Sequence, residues 1–329
     1  MKIIIQNIVM LFVLFIAGCG SNGGEDTQSS NSYYKQEMRS LVKKISTYAK
    51  GINPDFVVIP QNGVALVSTT GDESGSADME YLNAIDGIGQ EELYYGYNAD
   101  DQLTPSAKTQ NISHFLDMTK NNANIKILVT DYCYTHTKMD DSYAKNRTAG
   151  YISFAADHRE LDNIPAYPTA IQSENNNTIT SLKNVKNFLY MIQPDNLYTT
   201  KQEFVDAVKN TNYDAIVMDF FFKGEAYSLE QITQLRSKAN GGHRLLIAYM
   251  SIGEAEDYRY YWQQDWSVGN PTFIAGKDAN WDGNYYVKYW DPQWQNIIFG
   301  TDTSYVKKII DAGFNGVYLD IIDAFEYFE

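Results

Sequence analysis

The fold is decided by the stretch GVYLDIIDAFEYFE, residues 316–329. Its first four residues, Gly316 to Leu319, have the composition of a short buried strand and lead directly into the carboxylate of Asp320. An acidic, aromatic loop follows, with no helical pattern after it. A parallel strand is normally followed by a helix that covers the sheet, because the apolar face and the edge need burial. We therefore expect the covering helix to come from elsewhere in the chain.

The second half of the chain alternates short apolar runs with helical patterns, which predicts parallel strand-helix units. Five runs are interpreted as strands: 187–193, 215–220, 244–250, 284–290 and 316–319. Three helical patterns accompany them: one with a capping box from Thr200 to Glu203, one capped at Ser228 and ended by Gly241 and Gly242, and one from about Trp294 to Ala312.

The first half of the chain supplies a helix and three more strands. Residues 33–50 form an amphipathic pattern ended by Gly51, with one apolar face made of Met38, Leu41, Val42, Ile45 and Tyr48. The other predicted elements are strands at 56–63, 84–95 and 125–132 and helices from about Thr104 and over 141–149. Eight parallel units predict a closed (β/α)8 barrel, which has no exposed sheet edge. A doubly wound open sheet is the alternative, although no glycine-rich phosphate loop follows a strand.

Three later motifs carry a family resemblance. SIGEAEDYRYYW (251–262), YVKYWDPQW (286–294) and GVYLDIIDAFEYF (316–328) resemble consecutive motifs of glycoside hydrolase family 114. The resemblance implies a TIM barrel and an activity like that of the endo-α-1,4-polygalactosaminidases. It also implies a polysaccharide substrate that contains amino sugars.

The order of the motifs differs from that of the family. PQNG (60–63), DGIGQEELYY (86–95) and ILVTDY (127–132) resemble segments that follow the 316–328 motif in the family, yet they come first here. The resemblance therefore implies a circular permutation of one domain, 33–329. Its parts are the family's C-terminal half (33–167), a joining loop (168–187) and the family's N-terminal half (188–329). The helix 33–50 would then cover the strand 316–319. The rival interpretation, two half-barrel domains, would leave strand edges unpaired.

The first residues predict export. Residues 1–18 combine one early lysine, a long apolar run and small residues before Cys19, which is typical of a secretory signal. The ending resembles a bacterial lipobox, which implies lipidation of Cys19 and membrane anchoring. The predicted location is the bacterial cell envelope, periplasmic or surface-exposed, on the outer membrane. An uncleaved anchor is the alternative. Residues 19–32 predict a flexible polar tether.

Composition excludes several classes of function. The chain has 26 Lys and Arg against 41 Asp and Glu, a formal charge of −15, which disfavours nucleic-acid binding. Two cysteines exclude a disulfide framework and a cysteine-rich zinc site. The four histidines are scattered, so a metal-dependent deacetylase is disfavoured and we expect no metal and no cofactor. The protein is expected to be a monomer.

Carboxylates follow the predicted strands, where parallel α/β proteins place their active sites. They are Asp219, Glu254, Asp320, Glu91, Glu92 and Asp131. Glycoside hydrolysis uses two carboxyl groups whose environments separate their pKa values.

The family's catalytic pair comprises an Asp and a Glu from later strands. The resemblance therefore implies Asp320 as nucleophile or electrostatic stabiliser and Glu91 as general acid/base, with these roles exchangeable. Glu92 is the alternative to Glu91, because neighbouring strand residues face opposite sides. The other acids are expected to support the pair; for Asp131 and Glu254, a surface ion pair or a helix N-cap is an equal alternative.

Aromatic side chains near these acids predict sugar binding, because sugar rings stack on aromatic faces. The predicted substrate-binding residues are Tyr258, Trp262, Trp290, Trp294, Tyr94 and Arg259. The sequence thus predicts a glycoside hydrolase acting on an amino-sugar-containing polysaccharide. A carbohydrate-binding lipoprotein with weak or no turnover is the alternative, should the permutation disrupt the loop after Asp320.

Overall fold

The computed structural model describes residues 26–329. The predicted signal and Cys19 lie outside this range. The α-helices of the described range are α1 (Asp26–Ile52), α2 (Met79–Ala84), α3 (Ser106–Asn122), α4 (His136–Ala149), α5 (Lys201–Lys209), α6 (Leu229–Arg236), α7 (Pro292–Ile298), α8 (Tyr305–Asp311) and α9 (Phe325–Phe328). Over the same range, no helix combines the length and the apolar character needed to cross a bilayer.

Eight strands form two parallel sheets. They are β1 (Val57–Pro60), β2 (Gly87–Glu91), β3 (Lys126–Tyr132), β4 (Ile152–Ala156), β5 (Phe188–Met191), β6 (Ala215–Asp219), β7 (Leu245–Ser251) and β8 (Gly316–Asp320). One sheet has the order β1-β8-β7-β6-β5 and the other β2-β3-β4. The two sheets adjoin on both sides: a parallel bridge pairs Gln61 with Gly89, and β4 lies beside β5. The protein is therefore a mixed α/β structure built on parallel strands.

The number of parallel strands agrees with the prediction, but one assignment was wrong and one strand was missed. Asn284–Val287 lies outside the parallel sheets and pairs antiparallel with Glu254–Glu256 and Ile274–Lys277. The missing place is taken by β4, which was not predicted. Aromatic and β-branched residues favour strands of either kind, and propensity does not identify the partner strand. The half-exposed tyrosines of Asn284–Val287 distinguish it from the buried runs of the parallel sheets.

Several helix boundaries also differ from the predictions, and α4 begins at His136 instead of Asp141. The expected helix 294–312 is two helices, α7 and α8, and the segment between them contains Gly300 at φ +94°, a conformation that interrupts a helix. α6 ends at Arg236, before the predicted glycine stop. α1 begins at Asp26 rather than Tyr33, so its first residues belong to the predicted tether; glycine and proline are absent from that stretch of sequence.

α1 lies next to the last strand of the chain. Its predicted apolar face is buried, with Met38, Leu41, Val42 and Ile45 fully enclosed. The start of α1 contacts α9: Lys35 forms an ion pair with Glu329, and the rings of Tyr34 and Phe328 lie 5.5 Å apart. β1, which follows α1, pairs in parallel with β8. The first described helix therefore packs where the chain emerges from β8.

The segment 168–187 is held against the body of the protein by a buried ion pair. Lys238 Nζ lies 2.9 Å from Asp214 Oδ1, and both side chains are inaccessible to solvent. Asn175 donates to both Asp214 carboxylate oxygens at 3.1 and 2.9 Å, and the Lys186 backbone N–H donates at 2.9 Å. The polar composition of this segment predicted a loose loop. In the structure, two of its residues donate hydrogen bonds to the buried carboxylate of Asp214.

Candidate active site

Asp320 and Glu91 are brought together from the two ends of the chain. They stand at the carboxyl ends of β8 and β2, and β1 lies between these strands. Adjacent strands are about 4.8 Å apart, so the two backbones are separated by about 10 Å. Both residues end their strands at the same edge of the sheet, and the negative charge of Glu91 helps to raise the pKa of Asp320.

The Asp320 carboxyl is held in an environment that opposes ionisation. Burial, and after it the charge of Glu91, raises the pKa of Asp320 to about 7. Two donors act in the opposite sense: the Tyr249 hydroxyl donates to Oδ2 at 2.6 Å, and the Ile321 backbone N–H donates to Oδ1 at 2.8 Å. Both protonation states are accessible near neutral pH, as a general acid requires.

The backbone after Asp320 is strained. Ile321 has φ +56°, a left-handed conformation that is costly for a β-branched residue. The loop at Gly253 approaches it so closely that a Cβ atom there would lie 2.1 Å from the Ile321 carbonyl oxygen. The strained turn and the close contact together fix the direction in which Asp320 leaves β8.

The Glu91 carboxylate is oriented by one hydroxyl and one amide. The Tyr132 hydroxyl donates to Oε1, and Asn62 Nδ2 donates to Oε2 at 3.1 Å. The same Asn62 accepts from the Glu91 backbone N–H at 3.0 Å. Asn62 has φ +60°, a conformation that asparagine tolerates better than most residues. Sequence reasoning missed Asn62 and Tyr132 as site residues, although both lie in the PQNG and ILVTDY motifs.

Glu92 lies in a different environment from Glu91. It has φ +59°, and its carboxylate forms a 2.7 Å ion pair with Arg159, which also binds Asp100 at 2.6 Å. Burial raises the pKa of Glu92 to about 7 despite the arginine. The structure therefore brings Glu91 to Asp320 and leaves Glu92 engaged with Arg159.

Asp219 belongs to a network centred on Arg259. The Arg259 guanidinium lies 2.8 Å from Asp219 and 2.6 Å from Glu256, and it is almost fully buried. Burial raises the pKa of Asp219, while Arg259 counteracts the shift. The prediction that Arg259 binds substrate is contradicted by these contacts, because its donors already serve two carboxylates. Glu256 was missed; it lies two residues after Glu254, and strand alternation indicates a shared face.

Glu254 is buried beside a second carboxyl group. Asn284 donates to Glu254 Oε2 at 2.9 Å. Burial and the charges of Asp278 and Asp320 raise the pKa of Glu254 to about 8, so it is largely protonated at neutral pH. Asp278 and Asn284 were not predicted, because Asn284–Val287 was assigned to the parallel sheet and the strand Ile274–Lys277, which Asp278 follows, was not predicted. Within residues 26–329, no three His, Cys, Asp or Glu side chains converge in a way that would hold a metal ion.

Asp131 has a structural position instead of the expected supporting one. Its carboxylate is fully buried and accepts from the backbone N–H groups of Tyr94 and Tyr95 at 2.8 and 3.2 Å. Ser142 and Asn146 of α4 donate at 2.6 and 3.2 Å. Asp131 therefore joins the loop after β2 to α4. Its neighbour Tyr132 points to the other side of β3 and reaches Glu91.

Comparison with known proteins bears on the part of the chain that contains Asp320. The sequence profile of glycoside-hydrolase family GH114 matches residues 168–329. This half of the chain resembles family GH114. The matched residues include Asp219, Glu254 and Asp320, whereas Glu91 lies outside them.

Three relatives extend the comparison to other organisms. An uncharacterized protein of Methanocaldococcus jannaschii is 38% identical over 185 residues, which is 54% of this chain and 49% of that protein. Uncharacterized proteins of Thermotoga maritima and Deinococcus radiodurans are 37% and 40% identical over 120 and 126 residues, covering 36% and 38% of both chains. This chain thus spans about half or less of the length of these relatives.

Two predicted aromatic contacts in the GH114-like half are packing contacts. Trp294 is fully buried, and its indole N–H donates to the Ile252 carbonyl at 2.9 Å, so the prediction that it binds substrate is wrong. Trp290 packs against Tyr34 and Phe328, with ring centroids 5.2 and 4.8 Å away. Its role is to join the beginning of α1 to α9.

The remaining predicted aromatics differ in exposure and contacts. Trp262 stacks on Tyr285 at 4.8 Å. Tyr94, outside the GH114-like half, has its ring 5.6 Å from the Lys145 ammonium on α4. Tyr258 is 58% exposed, and its hydroxyl donates to Glu256. Of these predicted sugar contacts, Tyr258 presents the most surface.

A stacked tyrosine pair in the GH114-like half was not predicted. The rings of Tyr286 and Tyr327 are 4.2 Å apart and inclined by 13°. Burial, followed by the charges of Asp278, Glu254 and Asp323, raises the pKa of Tyr286. Tyr327 is 47% exposed. The pair therefore borders the acidic site and leaves one aromatic ring open to a ligand.

Proposed function

We propose that this protein hydrolyses glycosidic bonds in a polysaccharide that contains amino sugars, with Asp320 and Glu91 as the reacting carboxyl pair. The GH114 resemblance supports glycoside hydrolysis as the reaction class. The observation that carries the proposal is the carboxyl group of Asp320, whose pKa is raised to about 7 by burial and by Glu91. A carboxyl group with a raised pKa beside a second carboxyl group is what glycosidases use to protonate the leaving oxygen.

The contacts favour Asp320 as proton donor and Glu91 as nucleophile or base. The roles implied by the family resemblance were the reverse, with exchange allowed. The Asp320 proton passes to the glycosidic oxygen as the bond from that oxygen to the anomeric carbon breaks. Glu91, oriented by Tyr132 and Asn62, either attacks the anomeric carbon or takes a proton from the attacking water. Water supplies the hydroxyl group of the new reducing end.

The charge around the pair favours a cationic sugar. Glu91, Asp320 and Asp323 lie within electrostatic range of one another, and Arg259 is already shared by Asp219 and Glu256. A protonated amino group on the substrate would reduce this excess of negative charge. The exposed rings of Tyr258 and Tyr327 are suited to contact the sugar faces.

We further propose a closed (β/α)8 barrel in circularly permuted order. The adjacent edges β1-β2 and β4-β5 support closure, and the packing of α1 beside α9 and β8 supports the permutation. A single permuted domain, 33–329, explains these features together.

Export and lipid anchoring at Cys19 are also part of the proposal. They rest on the sequence of residues 1–19, outside the described range. α1 passes Phe328 at Tyr34, so a tether that ends before Asp26 would begin about 12 Å along the helix axis from this contact. The proposed location is the envelope of a bacterium, at the outer membrane. Labelling with a palmitate analogue should modify the wild-type chain and not Cys19→Ala.

The enzymatic proposal is tested with purified protein lacking residues 1–19. Incubation with a partly deacetylated α-1,4-galactosamine polymer should release reducing ends, and Asp320→Asn or Glu91→Gln should lower the rate at least about 100-fold. Asp302→Asn, at an exposed position, is the matched control. Equal rates in the wild type and both site variants, with folding confirmed by circular dichroism, would reject the pair.

The same assay separates catalysis from binding alone. The alternative of carbohydrate binding without turnover assumed that the loop after Asp320 is disrupted. This loop instead continues into α9, which packs on α1. A protein that retains the polymer on an affinity gel but releases no reducing ends would favour carbohydrate binding without turnover.

A further inference from the structure

Tyr318 is a buried tyrosine two residues before Asp320 on β8. Its side chain is fully enclosed, and within residues 26–329 its hydroxyl has no hydrogen-bond partner. Three neighbouring tyrosines do have partners: Tyr132 donates to Glu91, Tyr249 to Asp320 and Tyr190 to Gln61. Buried hydroxyls are nearly always bonded, so the hydroxyl of Tyr318 requires an explanation.

The position of this hydroxyl follows from Gly89 on β2. A Cβ atom on Gly89 would lie 1.9 Å from Tyr318 Oη, so the hydroxyl occupies the space where a side chain would be. Gly89 precedes Glu91 by two residues, and Tyr318 precedes Asp320 by two, so each pair shares a face of its strand. The hydroxyl therefore lies one layer below both carboxyl groups.

The surroundings of Tyr318 keep its hydroxyl protonated, so that it can donate a hydrogen bond. Burial and the charges of Glu91 and Asp320 raise the pKa of Tyr318 well above its usual range. The other groups facing the pair are two further acids, Asp323 and Glu254, and the hydroxyls of Tyr190 and Tyr249. In the described part of the chain, the charged groups that raise the pKa of Asp320 are Glu91 and Asp323, and both are acids.

We propose that Tyr318 is a positioning residue for the Asp320–Glu91 pair: through one bridging water, its hydroxyl stabilises the state in which both carboxyls are ionised. That state forms when Asp320 has given its proton to the leaving oxygen. While Asp320 is protonated, the Tyr318 hydroxyl has no negative charge of Asp320 to stabilise. When Asp320 ionises beside Glu91, the hydroxyl can donate through the water to the new carboxylate. The inference rests on the proposed function and adds a residue to it.

The test replaces one hydroxyl at a time and measures carboxyl titration. Tyr318→Phe keeps the ring and removes the donor. Tyr227→Phe is the control, because its hydroxyl is also buried and without a hydrogen-bond partner in the described residues, but its acidic neighbours are Asp219 and Asp195 and not Asp320. Carbon-13 NMR of protein labelled at aspartate carboxyls follows the midpoint of Asp320, identified by its absence in Asp320→Asn. We expect Tyr318→Phe to raise this midpoint by about one pH unit, and Tyr227→Phe to leave it in place.

A merely structural role for Tyr318 gives a different result. Removing an unpartnered buried hydroxyl would then leave the midpoint unchanged and would not lower the melting temperature. An unchanged midpoint in Tyr318→Phe, or an equal shift in both variants, overturns the inference.

An activity measurement keeps this inference separate from the proposed function. If the polymer is cleaved, the alkaline limb of kcat against pH should move upward with the Asp320 midpoint in Tyr318→Phe, and kcat should fall about tenfold with little change in KM. If no polymer is cleaved but the midpoint shifts, the proposed function fails while the role of Tyr318 in the ionisation of the pair stands. If cleavage occurs without a shift in either measurement, only the inference fails.

Discussion

The residue at the centre of this site is an aspartate held against its normal tendency to ionise. Asp320 has two donors, Tyr249 and Ile321, but burial and Glu91 outweigh them. Burial also raises the pKa of Asp131, which has four donors and joins a loop to α4. The nearness of a second acid, Glu91, therefore distinguishes the environment of Asp320 from that of Asp131.

We expect Asp320→Asn to stabilise the protein above pH 7 and to have little effect near pH 4. A carboxyl with a raised folded-state pKa binds more protons in the folded than in the unfolded state. Its contribution is therefore present below the unfolded value of about 4 and is lost as the pH rises through about 7. Asparagine removes this loss, a gain on the order of 4 kcal/mol at pH 8.

Urea unfolding at pH 5 and pH 8 measures this difference. Asp302→Asn, at an exposed position, should show no such pH dependence. A free energy of unfolding for Asp320→Asn that is lower than that of the wild type at pH 8 would contradict the expectation.

Gly89→Ala should destabilise the protein, because its Cβ would lie 1.9 Å from Tyr318 Oη. Overpacking of this kind costs about 1 to 3 kcal/mol. Displacing the ring should also reduce polymer cleavage. Gly51→Ala is the control, since a Cβ there meets no atom within 4 Å, and its melting temperature should not fall. Similar melting temperatures for both variants would show that the space at Gly89 is not restrictive.

Among the elements, local signals predicted helix starts better than strand partners. The capping box at Thr200 and the cap at Ser228 are present as predicted, because a cap involves residues only three apart in sequence. The assignment of 284–290 to the parallel sheet failed, because antiparallel pairing with Glu254–Glu256 depends on a partner some thirty positions away. β4 was missed for the same reason. Its place is decided by β3 beside it, and not by its own composition.

The ion pair beneath the segment 168–187 gives a prediction at this scale. Lys238→Met should lower the free energy of unfolding by about 3 to 5 kcal/mol, because it leaves the fully buried Asp214 without its cation. Lys307→Met removes a partly exposed ion pair with Asp311 on α8 and should cost less than about 1 kcal/mol. Urea unfolding compares the two variants, and equal losses would show that burial of the pair is unimportant.

For the whole molecule, the arrangement of strands brings distant parts of the chain into one site. Asn62 and Glu91 come from one end and Tyr249 and Asp320 from the other. The residues that link the ends, Lys35 and Glu329, form an ion pair. A domain of this kind should tolerate a different choice of termini.

We expect a rearranged chain to fold. Residue 329 would be joined to residue 33 by a short glycine-serine linker, and the chain would be opened between Thr169 and Ala170, which are exposed. Circular dichroism and the melting temperature should stay close to those of the native order, and polymer cleavage should be retained. A matched chain opened within β6, between Val217 and Met218, should fail to fold, because both residues are fully buried. Failure of the first chain under conditions where the native order folds would contradict a single permuted domain.

The α/β class, the helix caps, the buried face of α1 and the carboxylates at the strand ends could be predicted from the chain, because they depend on residues within a few positions of each other. The folded arrangement was needed to place Glu91 near Asp320, Glu92 against Arg159 and Asp131 against α4. A strand reverses the direction of its side chains at every residue. Which face meets the site therefore depends on register against strands contributed by the other end of the chain.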